Sequence, residues 1–164
     1  MLNRIFPKQI DNTYRGYWLA LWIYVPIILM KFAMGINVAG VNPWISNMYI
    51  LKEVDGVPLD TFGAEAGSTI VYMAASWALG LLLLSSLGLL VLIRYRAMIP
   101  LMFLVLSIEQ VGRKGISLMN PIVRAVESQG LAPGAIVNWA LTAALIVGLA
   151  LSLARRKDER ENTL

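Results

Sequence analysis

The chain contains no cysteine and no histidine. That excludes a disulfide framework, a thiolate nucleophile, the usual zinc site, a histidine general base and a histidine ligand to haem. Charge is scarce too, at 15% of residues against roughly 25% in a soluble domain. There is no phosphate-binding glycine loop, no G-x-S-x-G elbow and no cluster of metal ligands. Glu53, Asp55 and Asp60 lack the spacing of an EF-hand and read as a solvated acidic loop. Neither a cofactor nor a metal is expected, and the chain reads as non-enzymatic.

Apolar side chains dominate what is present. They make up 58% of 164 residues, and the mean hydropathy is +0.67. On length this is one domain, residues 1–164. A soluble domain of this size has no interior large enough for that much apolar surface, so the composition points to a multi-pass membrane protein. The pI near 9.6 follows from bases lying outside the apolar spans and requires no nucleic acid.

Four spans are expected, at about 16–36, 67–93, 97–118 and 135–154. Each is long enough to cross a hydrocarbon core of roughly 30 Å at 1.5 Å per residue. Lys31 interrupts the first, and no A-x-A follows it, which disfavours a cleaved signal peptide. Pro100 falls in the first turn of the third, where proline is tolerated. Asn42-Pro43 and Asn120-Pro121 are helix-start signals. They predict two short interfacial helices, the first carrying Trp44, Ile45, Met48 and Leu51 on one face. The fold class is therefore all-α: a four-helix transmembrane bundle with two interfacial helices in its longer loops.

Bases set the orientation. Arg4, Lys8, Arg15, Arg94, Arg96, Arg155, Arg156, Lys157 and Arg160 fall on one side. Lys52 and Arg124 lie in the loops of the other, with Lys31, Arg113 and Lys114 near helix ends. Both termini are expected to be cytoplasmic in a bacterial inner membrane, with the longer loops facing the periplasm.

In lipid, helices associate through close contact between small residues, because lipid is as apolar as the helix. Ala140, Ala144, Gly148 and Ser152 recur every four residues in the fourth span. Ala74, Ala78, Ser76, Gly80, Ser85 and Gly88 offer similar faces in the second. Spans two and four are expected to meet through them.

Charges inside a span cost about 2.5–3.5 kcal/mol on insertion scales, so each needs a reason. Lys31 shares a stripe with Tyr17 and Tyr24 at seven-residue spacing and can either snorkel or pair internally. In the third span, Glu109, Arg113, Ser117, Gln110, Lys114 and Ser107 fall within about 160° of arc at roughly 100° per residue. The opposite arc, with Leu104, Val105, Ile108, Val111, Gly112, Gly115 and Leu118, is apolar. Glu109 and Arg113 form an i,i+4 pair in the favourable acid-first order. Glu109 is the only acid inside a span, hence the one internal partner available to both Lys31 and Arg113. The candidate site is the polar intramembrane cluster Lys31, Glu109, Gln110, Arg113 and Lys114, read as a structural ion-pair network or as the lining of a polar cavity.

The stretch Leu29-Met30-Lys31-Phe32-Ala33-Met34-Gly35, together with the four-span topology of the whole chain, resembles the DoxX-like group of small bacterial membrane proteins. The resemblance implies an architecture and no catalytic residue. The longer first loop and the Glu109-Gln110-x-x-Arg113-Lys114 run are departures from it.

Two functional classes follow. The first is an accessory or scaffold subunit of a membrane complex, whose small-residue faces serve a partner membrane protein or a second copy of the chain. The second is a small carrier or channel for a polar or anionic solute, working through the Lys31, Glu109 and Arg113 region.

Overall fold

The computed structural model describes residues 2–120 and 133–154. Four long helices carry it: α1 (Trp18–Val38), α2 (Ala64–Arg94), α3 (Ile99–Met119) and α4 (Pro133–Leu153). No strand occurs among the described residues. The helices alternate in direction, and their bounds fall within three residues of the expected spans. Three of them, Trp18–Val38, Ala64–Arg94 and Gly134–Leu153, are long and apolar enough to cross a membrane, and they mark the chain as a membrane protein. α3 matches α1 and α4 at 21 residues, but Glu109, Arg113 and Lys114 dilute its second half.

α1 is the central helix. It packs along both α2 and α4, while α3 packs mainly on α4. Direct contact between α2 and α4 is slight, which corrects the expectation that their small-residue faces meet. Those faces instead admit large side chains from other helices. A Cβ at Gly88 would overlap Ile28 of α1, and one at Gly148 would overlap the Phe103 ring of α3. Of the α4 ridge, Gly148 and Ser152 are buried, Ala144 is half-buried and Ala140 is exposed. A four-residue repeat advances about 40° per step against a 3.6-residue turn, so the ridge winds off the contact face.

The apolar core fills the half of the bundle nearest the α2–α3 turn. Tyr24, Phe103, Ile28, Ile99, Leu106 and Leu145 are its largest fully buried members. Tyr24 meets Phe103 edge-to-face at 5.2 Å and donates its hydroxyl to the Gly88 carbonyl at 3.0 Å. At this end the N-terminal segment closes the bundle. Arg4 donates to the carbonyls of Leu153 (3.3 Å) and Ala154 (2.6 Å), placing a cation where the α4 dipole favours one. Burial pushes the Tyr14 phenol up to about 12, with Arg4 opposing.

At the other end, α1 stops at Gly40, whose φ of 74° is left-handed. Gly40 N–H donates to Asn37 O and Val41 N–H to Ile36 O, a Schellman closure. The expected helix start at Asn42-Pro43 is not used. The Asn42 side chain accepts from Trp44 N–H in a tight turn at 2.9 Å, leaving Trp44 on the surface. Helix begins only at Asn47–Tyr49 and widens into a π-helical turn over Ile50–Val54. Of the four residues expected on one apolar face, only Leu51 is buried. The second interfacial helix, after Asn120-Pro121, lies outside the described residues, as does the C-terminal basic run.

Candidate functional site

Lys31 is 1% exposed, on the inward side of α1. Its ammonium donates to Glu109 Oε2 at 2.7 Å and to Gln110 Oε1 at 3.1 Å. The lysine therefore pairs internally and does not snorkel. Tyr24 shares its burial, whereas Tyr17 precedes the first turn of α1 and is exposed.

Glu109 is shared. Its other oxygen, Oε1, lies 2.8 Å from Arg113 Nε across one helical turn. The Nε–H bond is not aimed at that oxygen, so this contact is an ion pair rather than a directed hydrogen bond. Arg113 finds its directed bond elsewhere, from Nη2 to Gln110 Oε1 at 2.8 Å. Its guanidinium also stacks on the Trp77 ring of α2, 5.0 Å from the centroid, a contact worth about 0.5–2 kcal/mol depending on desolvation.

Gln110 joins three helices. Its carbonyl oxygen accepts from Lys31 of α1 and from Arg113, and its amide donates to the Asn138 side chain (3.1 Å) and backbone oxygen (3.3 Å) of α4. With two cations on one side and two oxygens on the other, only one amide orientation satisfies all four. Asn138 in turn donates to Gly134 O at 2.8 Å. The structure thus brings Lys31, Glu109, Gln110 and Arg113 together. Lys114 stands apart from that network, its ammonium 4.4 Å from the centre of the Trp139 ring. Ser107 is buried and bonds only back to Phe103 O of its own helix.

A cavity of about 450 Å³ opens directly above the network, at the loop end of the bundle. Gln110, Arg113, Lys114 and Ser117 of α3 form one wall, with Asn138 of α4 beside them. Met34, Asn37 and Val38 of α1 and Trp77 and Leu81 of α2 form the others. The turn through Ile50, Val54, Asp55 and Val57 is the roof. It rests on the start of α4, where a Cβ on Gly134 would lie 2.7 Å from the Val54 carbonyl oxygen. Network and cavity together hold the three cations Lys31, Arg113 and Lys114 against the carboxylates Glu109 and Asp55. The described groups therefore leave one positive charge in excess.

One further member of the site is marked in the sequence itself. Asn138 is a lone amide in an apolar span, which marks it by the same cost argument as Lys31. Trp77 and Trp139 could be identified as cation platforms only from tertiary packing. The roof follows from loop geometry, which periodicity does not encode.

Composition and helix length define the class, a helical membrane protein with a basic cavity at one end of its bundle. No protein-family model matches the chain, and no curated protein or solved structure shows significant similarity to it.

Proposed function

We propose that the chain crosses a bacterial inner membrane four times with both termini in the cytoplasm, and that its loop-end cavity binds a small solute bearing negative charge. α3 counts as the fourth crossing because its charged side chains turn inward, while Ile108, Val111, Ile116 and Leu118 form an exposed apolar face suited to lipid. The DoxX-like topology belongs to this reading. Reporter fusions at residues 55 and 128 should read as periplasmic, and at 96 as cytoplasmic; a cytoplasmic signal at 55 would overturn the orientation.

The observation that carries the binding reading is the cavity's reach to Gln110, Arg113 and Lys114. A network serving structure alone would be closed over by apolar side chains, as the core below it is. Here two cations are held in place by tryptophan rings and still line open space. Pockets of about 300–1,000 Å³ with a few placed polar groups are the usual form of a small-molecule site. A ligand at 100 times its Kd would stabilise the fold by about 2.7 kcal/mol. In neutral detergent, soluble carboxylates and phosphates should raise the melting temperature over choline chloride of equal ionic strength, and Lys114→Gln should abolish the rise. No rise with any anion tested would refute the reading.

The accessory-subunit reading stands second. What supports it is that Gly80 of α2 and Gly112 and Gly115 of α3 face open space, where a Cβ would touch nothing. Small residues on a lipid-facing surface suit a partner helix or a second copy of the chain. Purification in mild detergent would test it, and a monomer without partners would count against it.

A further inference from the structure

We infer that the ligand of the cavity is an amphiphile, an acyl chain with an anionic head, and that the chain lies in the seam between α2 and α3. The inference rests on the anion-binding reading for the head and adds the tail, its position and its route of entry.

α2 and α3 follow each other through a short turn, yet they pack on each other far less than either packs on another helix. The space between them is a second void of about 460 Å³. Leu84, Leu87 and Val91 of α2 face Leu101, Met102 and Val105 of α3 across it. The two voids succeed one another along one seam. Leu81 borders the basic cavity and Leu84 the apolar groove, three residues or about 4.5 Å apart along α2. On α3, Val105 of the groove and Arg113 of the cavity, whose guanidinium reaches Trp77 of α2, are eight residues or about 12 Å apart. A molecule lying along the seam therefore has its polar end at Arg113, facing the cavity that Lys114 lines from the α4 side, and its apolar end among leucines.

Size selects the occupant. The groove runs from Leu84 to Tyr95, about 16 Å at 1.5 Å per residue. Spread over that length, its volume corresponds to a channel roughly 6 Å wide. Carbon atoms in contact sit about 3.5–4.0 Å apart, so one hydrocarbon chain fits. The basic cavity, at roughly 30 Å³ per water, has room for about fifteen waters, ample for a carboxylate or phosphate head.

Energetics divides the work between the two ends. A tail leaving lipid for this groove exchanges one apolar surround for another and gains little. The head leaves the interface for the two cations Arg113 and Lys114 that line the cavity, so selection lies there. The tail brings the ligand in through the plane of the membrane.

The test uses the full chain in liposomes with a fatty acid carrying a diazirine near its methyl end, and maps the adducts by mass spectrometry. Adducts should concentrate in residues 84–105, at least about tenfold over outward residues such as Trp22 and Ile146. The matching long-chain alcohol, which lacks the charge, should lose that enrichment, and Lys114→Gln should reduce it severalfold for the acid. Even labelling around the bundle would overturn the inference, as would an alcohol that labels the seam as strongly as the acid; this comparison needs no variant. Stabilisation by soluble anions without seam labelling would leave the cavity reading standing and sink the amphiphile. Neither effect would sink both.

Discussion

Replacing Glu109 by Gln removes one carboxylate and leaves two cations without their counter-ion. The larger cost falls on Lys31, which is 1% exposed. Breaking a buried pair from one side costs about 3–5 kcal/mol. The new amide oxygen can still accept from the ammonium, and Gln110 Oε1 remains 3.1 Å away, so the lower figure, about 3 kcal/mol, applies. Arg113 adds little, because its side chain is 26% exposed and keeps Gln110 and Trp77. On the scaling of soluble domains of this length, about 2–4 °C per kcal/mol, the melting temperature should fall by roughly 6–12 °C. Lys31→Met deletes the charge instead of stranding it, and Glu109 keeps Arg113, so the single change should stay within about 1 kcal/mol. The double variant should regain most of the loss, giving a coupling of about 2–3 kcal/mol in the four-member cycle. The assay is thermal unfolding of all four proteins in one neutral detergent. A Glu109→Gln protein melting with the wild type, or a double variant no better than Glu109→Gln, would show that Lys31 does not depend on that carboxylate.

Packing makes a paired prediction. Gly148→Val should destabilise by about 1–3 kcal/mol, because its Cβ enters the space of a Phe103 ring already fixed against Tyr24. Gly112→Ala, where a Cβ meets nothing, should raise helix stability by about 1 kcal/mol; equal melting temperatures for the two would refute the assignment of faces. Tyr14 supplies a pH dependence. Its hydroxyl is buried with no hydrogen-bond partner among the described residues, and its pKa is raised from 10.0 to about 12. Between those values the unfolded chain releases a proton that the folded chain retains, so stability should fall as pH rises through that window and be unaffected below it. Tyr14→Phe should be neutral or stabilising at pH 7 and should flatten that decline; an unchanged slope would place its origin elsewhere.

Helix positions were legible in the sequence because each apolar run is bounded by charge or by glycine and proline. The site was legible for a different reason. Among the four apolar runs read from the sequence, Glu109 is the one acid, so Lys31 and Arg113 have a single internal counter-ion available to both. Scarcity does for Glu109 what a motif does elsewhere. Helix adjacency was not legible, since small residues show that something approaches closely but not what. Gly88 receives Ile28 and Gly148 receives Phe103, both from helices other than the pair expected. Asn42 misled because the side chain that caps a helix can equally close an isolated turn, and in the structure it does the latter. The cavity depends on the roof at residues 50–57, which rests on the start of α4 at Gly134, a contact between segments far apart in the sequence.

The most direct test of the central claim, that the loop end of the bundle holds a water-accessible basic cavity, uses the chain's lack of cysteine. Met34 lines the cavity from α1, whereas its neighbour Ala33, at the same depth, is exposed on the outer surface of the helix. In reconstituted vesicles, the thiol of Met34→Cys should react with water-soluble methanethiosulfonates, and severalfold faster with an anionic reagent than with a cationic one. Salt should narrow that preference, since the screening length is about 10 Å at 0.1 M, and Lys114→Gln should weaken it. The thiol of Ala33→Cys, facing lipid, should stay unmodified. An unreactive Met34→Cys, or one that reacts equally with both reagents, would contradict the account.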